Sequence, residues 1–188
     1  MKVAIGFPAL DRVNTDFALC LAVLTRMCRH EMILLRGSSN LQHARNMVVE
    51  GALAHHADYL LLVDTDMIFP GDTVERLLAH EKDIVGCAYR RRGGDMDILV
   101  RPIPEPMTGC RPVELLPTGL MLIKMSVFET WERPWFWFGT NEETRRLAGE
   151  DLIFCHEAHK RGYELWCDWD LSKEVGHQWL ATLTLETN

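Results

Sequence analysis

Two hydrophobic rhythms alternate along the chain. Short unbroken apolar runs are separated by longer stretches in which apolar residues recur at helical spacing. Lys2 to Phe7 is such a run, stopped at Pro8, and predicts a first strand and a loop. Asp11 to His30 carries Phe17, Leu21, Leu24 and Cys28 on one helical face. Glu31 to Arg36 predicts a second strand, closed by the turn-forming Gly37-Ser38-Ser39-Asn40. Leu41 to Ala57 is helical through Leu41, Ala44, Val48, Ala52 and His55. Tyr59-Leu60-Leu61-Leu62-Val63 then runs straight into Asp64-Thr65-Asp66, followed by a short helix over Asp72–His80 and a strand over Asp83–Ala88. A run without alternation reads as a strand buried on both faces. Strands alternating with helices predict an α/β fold, with a mostly parallel central sheet, right-handed crossovers and flanking helices.

The regularity breaks at Tyr89. Residues 90–117 hold five prolines and five arginines and read as a long irregular segment, of the kind that is usually functional. Gly119 to Lys124 returns to strand, and Ser126 to Trp131 predicts a brief helix. In Trp135-Phe136-Trp137-Phe138 a core reading outweighs a binding surface, although alternation would leave one face free to stack on a sugar or base. A helix opens at Gly149-Glu150-Asp151 and runs to Arg161. Gly162 stops it, and Tyr163 to Cys167 is a last strand.

At 188 residues the chain predicts one domain, divided here into a 1–88 half and an 89–188 half. A formal net charge of −7 argues against a general polyanion binder. The six cysteines have no CxxC spacing, and there is no secretory signal or apolar run long enough to span a membrane. The expectation is reduced thiols and a cytoplasmic protein.

The chemistry gathers at strand ends, where ligands bind in open α/β sheets. Asp64 and Asp66, at i and i+2 of an extended segment, point the same way, and a cation between them offsets their repulsion. Mg²⁺ or Mn²⁺ suits such oxygen ligands and is commonly shared with substrate phosphates. The plainer reading is a turn or cap, but Phe69-Pro70-Gly71-Asp72 already supplies both. Glu150 and Asp151 stand at a helix start, where the macrodipole favours anions. Either they only cap, or one serves as a general base. His177 lies in a tail able to fold back over the sheet edge, where an imidazole is compatible with Mn²⁺. Arg45 is either solvated or salt-bridged, the plainer reading, or it buttresses Asp64 or approaches the nucleotide. Arg90, Arg91 and Arg92 are either a solvated run or an anion clamp. His156-Glu157-Ala158-His159 lacks the HExxH spacing and reads as helix surface.

In order along the chain, Ala44-Arg45-Asn46, Ala57 through Pro70, Gly119 through Lys124, Gly149 through Cys155, Gly162 through Asp168 and Gly176-His177 resemble the GT-A fold glycosyltransferases. The likeness is to the compact family-two-like enzymes of bacteria and phages. The resemblance implies a single Rossmann-like GT-A domain, a nucleotide-sugar donor (a UDP-sugar first) and Mn²⁺ or Mg²⁺. It makes Asp64, Asp66 and His177 the metal-side residues, with Asp66 the firmer ligand. Asp151 becomes the base of an inverting transfer, with Glu150 beside it. Phe7, Pro8, Ser38 and Arg45 fall near the nucleotide. The acceptor is open between a glycan, a protein and a modified nucleic acid. Two other readings compete. A nucleotidyltransferase is a poor match at Gly6 to Arg12, and a non-catalytic nucleotide-sugar-binding module is disfavoured by the intact acids.

Overall fold

The computed structural model describes residues 1–9, 12–36, 38, 40–91, 97–140 and 147–178. Its core is a seven-stranded sheet in the order β2-β1-β3-β7-β5-β10-β6. These strands are β1 (Lys2–Phe7), β2 (Glu31–Arg36), β3 (Tyr59–Val63), β5 (Ile84–Gly86), β6 (Cys110–Val113), β7 (Leu120–Lys124) and β10 (Leu165–Asp168). Strands β2, β1, β3, β5 and β10 share one direction, while β7 and β6 run against their neighbours.

The unbroken apolar runs exist because both faces are covered. Leu60 and Leu62 of β3 join Ala4 of β1 and Met121 and Ile123 of β7 in one core cluster, with Val48, Val49 and Ala52 of α2 (Leu41–Ala54) and Phe154 of α5 (Glu150–Lys160). The alternate residues Leu61 and Val63 join Ile5, Leu120 and Leu122 in the other. That cluster is closed by Phe17 and Leu24 of α1 (Thr15–Met27) and Val74 and Leu77 of α3 (Thr73–Leu78). The result is a helix–sheet–helix sandwich. Burying each Leu or Phe side chain in it contributes about 1.5–3 kcal/mol. Packing is close where α2 crosses β1: a Cβ on Gly6 would lie 2.8 Å from Val48.

Caps set the helix starts. The Asn14 side chain accepts from the Asp16 amide at 3.0 Å, so α1 begins at Thr15, inside the predicted Asp11–His30. Asn40 does the same for His43 at 3.2 Å, and α2 ends at Ala54 rather than Ala57. Asp11 itself, the Gly37 and Ser39 of the predicted turn, and Arg92 lie outside the described residues.

Four features correct or go beyond these expectations. The segment 90–117 is not wholly irregular: β6 pairs antiparallel with β10, and Pro112 is tolerated there because β6 is the sheet's edge strand. Strand β7 is antiparallel to both β3 and β5, which apolar periodicity alone does not reveal. Two-residue strands β4 (Met67–Ile68) and β11 (Gly176–His177) pair antiparallel, so β4 follows the Asp64–Asp66 segment as a second small sheet. Residues 135–138 form no strand. Trp135 and Phe136 are buried, with Phe136 stacked on Phe154 at 4.8 Å, while Phe138 is exposed. The brief helix α4 spans Ser126–Glu129. The remaining short elements are β8 (Gly139–Thr140), β9 (Leu147–Ala148) and α6 (Trp169–Ser172).

Candidate active site

The carboxyl end of β3 delivers Asp64, whose amide donates to the Gly119 carbonyl at 2.9 Å. From α2, directly above, Arg45 reaches it: Nη2 lies 3.0 Å and 3.2 Å from the two Asp64 carboxylate oxygens. The other guanidinium nitrogen, Nη1, bonds Glu150 at the first position of α5. Arg45 is 3% exposed and Glu150 6%, so a buried cation is held between two carboxylates from distant parts of the chain. A charge this deep is tolerated only when paired and hydrogen-bonded. Arg45 is thus salt-bridged rather than solvated, and because one partner is Asp64 it also buttresses that residue. Pro8, Arg45 and Asp64 line one small cleft with Gly6, Ala44, Val48, Leu62 and Val63.

Asp66 lies two residues on, beside the small β4–β11 sheet. His177, on β11, presents Nε2 at 3.4 Å from an Asp66 carboxylate oxygen. Its other ring nitrogen, Nδ1, is 2.9 Å from the Arg90 carbonyl. A carbonyl only accepts, so Nδ1 carries a proton and Nε2 is the atom turned to Asp66. The Tyr89 ring meets the imidazole edge-to-face, with centroids 5.1 Å apart. The tail after the last long strand does return over the sheet edge. The main chain secures it, with the Gln178 amide donating to the Asp66 carbonyl at 2.8 Å.

Tyr89 ties the two groups together. Its buried hydroxyl accepts from the Gly119 amide at 2.9 Å. Burial, and then the nearby Asp64 carboxylate, push its ionisation far above the ordinary tyrosine range. Gly119 has no room for a side chain: a Cβ would stand 2.2 Å from the Tyr89 hydroxyl and 3.1 Å from an Asp64 oxygen. Sequence reasoning passed over Tyr89 and Gly119. The one available signal was Gly119 opening an otherwise unbroken apolar strand.

Asp151, next to Glu150 in the first turn of α5, is half-buried, and its carboxylate accepts from the Leu152 amide at 2.7 Å. Its charge adds, as a lesser cause, to the upward push on the Tyr89 hydroxyl. Two residues expected near the nucleotide have partners within the chain. The Phe7 ring packs on Phe17 of α1 at 5.5 Å, and the Ser38 hydroxyl is bonded within its own loop, to the Asn40 carbonyl at 3.3 Å.

Among the described residues, no three His, Cys, Asp or Glu side chains converge as a cation site. The six thiols are free. Burial raises Cys155 and Cys167 to about 12 and Cys110 to about 11, which leaves them without thiolate character at neutral pH. No described helix is long and apolar enough to cross a membrane.

No protein-family model matches the sequence, and no curated protein does. Solved structures do match in fold. A197 from STIV superposes with a TM-score of 0.64 at 18% identity, covering 100% of both chains. S. aureus TarS 1-349 gives 0.60 at 15% identity over 95% of this chain and 60% of that one, and has been solved with UDP and with UDP-GlcNAc. Glucosyl-3-phosphoglycerate synthase from Mycobacterium tuberculosis, in complex with phosphoglyceric acid, gives 0.52 at 14% identity over 98% and 74%. This chain thus spans all of the viral protein and 60% of TarS 1-349. The shared feature is the architecture: the chain has the GT-A fold found in glycosyltransferases.

Proposed function

We propose that the chain is an inverting, divalent-cation-dependent glycosyltransferase that takes a sugar from a nucleotide-sugar donor, a UDP-sugar first, to an acceptor hydroxyl. The observation that carries this reading is the pairing of Asp66 with His177, 111 positions further along the chain, beside the buried Arg45 bridge. The UDP and UDP-GlcNAc complexes of TarS support the choice of donor.

Asp66 and His177 fit a cation such as Mn²⁺. They offer one oxygen and one imidazole nitrogen on a partly exposed edge, and His177 is already oriented by the Arg90 carbonyl. When bound there, the cation would neutralise charge on a diphosphate leaving group. Asp64 has both carboxylate oxygens on Arg45, so its role is to shape the cleft and meet the donor from that fixed position. Glu150 is buried and committed to Arg45. That leaves Asp151, one residue on and half-buried, as the base that removes the proton from the acceptor hydroxyl. The hydroxyl attacks the anomeric carbon, the bond to the nucleoside diphosphate breaks, and a single displacement inverts the centre.

The test is titration calorimetry with UDP and a panel of UDP-sugars, with and without Mn²⁺, followed by assays for transfer or donor hydrolysis. Binding that needs Mn²⁺ and weakens in Asp66→Ala and His177→Ala is the expected result. No binding of any nucleotide sugar would overturn the reading. Pyrophosphate release from a nucleoside triphosphate would replace it with nucleotidyl transfer.

A further inference from the structure

Helix α1 is apolar on both sides. Phe17 and Leu24 are buried against the sheet. On the other side Leu19 is 61% exposed, Val23 48% and Met27 50%, with Ala18 and Ala22 exposed among them. At 3.6 residues per turn, these five cover about half of the helix circumference. A surface helix carries polar residues on the side away from its core, and one that is apolar all round is normally buried. A contiguous apolar patch of this kind marks an interaction site.

Two charges border the patch, one at each end and of opposite sign. Asp16 stands in the first turn and Arg26 in the last, and both are exposed. Such a face is complementary to a second copy of itself related by a two-fold axis. With two α1 helices antiparallel and centred on one another, Leu19 of each copy falls opposite Ala22 of the other, and Val23 opposite Ala18. Each large side chain then meets a small one. The same register brings Asp16 of each copy beside Arg26 of the other, at both ends of the contact. A parallel pairing would instead set like charges together, which disfavours it.

The size of the contact sets its strength. Helix α1 has 13 residues and is about 20 Å long. A contact about 20 Å by 10 Å falls well short of the roughly 800 Å² per partner of a stable complex, so the association is a reversible one. Its Asp16 end adjoins the candidate active site. The side-chain amide of Gln178, the residue after His177, donates to the Asp16 carboxylate.

We propose that the outer face of α1 is a self-association surface, on which two copies of the chain pack α1 against α1, antiparallel, as a reversible two-fold dimer. The apolar stripe supplies the attraction, and the two Asp16–Arg26 pairs fix direction and register.

The test is analytical ultracentrifugation of the full chain over a wide concentration series. The weight-average mass should climb from monomer towards dimer as concentration rises. The Leu19→Glu variant should stay monomeric throughout, with an unchanged melting temperature in dilute solution. Arg26→Glu and Asp16→Lys should each weaken the dimer several-fold, and the double variant, which swaps the two charges, should recover it. A merely sticky surface would show no such recovery. A wild-type chain that is monomeric at every concentration overturns the proposal, as does a Leu19→Glu variant that still dimerises. A double variant no better than the single ones also overturns it. None of these readouts depends on transferase activity.

Discussion

Two acidic stations stand side by side at the same sheet edge, and they are built oppositely. At the first, Arg45 is 3% exposed between Glu150 at 8% and Asp64 at 27% by side chain. At the second, His177 is 12% exposed and Asp66 25%, and the pair is held from outside by a two-residue sheet. The first is charge locked into the core, where removing one partner leaves another buried and uncompensated. The second is a looser imidazole–carboxylate contact on secondary structure of minimal length. The contrast assigns stability to one and ligand response to the other, although sequence spacing treats Asp64 and Asp66 as equivalent.

The sharpest way to break that contrast is Arg45→Ala. It should cost about 3–5 kcal/mol in chemical denaturation, because Glu150 and Asp64 are left without their counter-ion. A loss below about 1 kcal/mol, the range of exposed pairs, would make the two stations alike. Asp151→Asn tests the residue beside the lock rather than the lock itself. Turnover should fall about 100-fold or more, with UDP-sugar affinity and melting temperature unchanged. Gly119→Ala should lose about 1–3 kcal/mol of stability, since its methyl group would overlap the Tyr89 hydroxyl that joins the stations. The smallest stability effect belongs to His177→Ala, within about 1 kcal/mol in the same denaturation experiment. Calorimetry should nevertheless find Mn²⁺-linked donor binding reduced in that variant.

How much of this was legible in the sequence depended on range. Tyr59-Leu60-Leu61-Leu62-Val63 announced a doubly covered strand because local burial is written in every residue of the run. The Asn14 and Asn40 caps are equally local, each standing one residue before its helix. Strand direction is not local: nothing in Leu120 to Lys124 distinguishes parallel from antiparallel, and the antiparallel pairing of β7 emerges only from the fold. Strand β6 was hidden by Pro112, which an edge position permits. At the site, Asp66 and His177 stood out by residue type and position. The choice between Arg45 as buttress and as solvated charge needed Glu150, 105 positions away, and no spacing rule connects them. Tyr89 was read only as the point where regularity ended. Its hydroxyl gains meaning only from the bare backbone of Gly119, 30 residues on.

The position of β7 has a consequence for the molecule's mechanical unity. A strand from the second half of the sequence is wedged between β3 and β5 of the first, and each of its long edges is bonded to one of them. Neither half can therefore close its own sheet. A nick in the backbone between β5 and β6 would yield fragments with raw hydrogen-bonding edges, complementary to each other and competent only when rejoined.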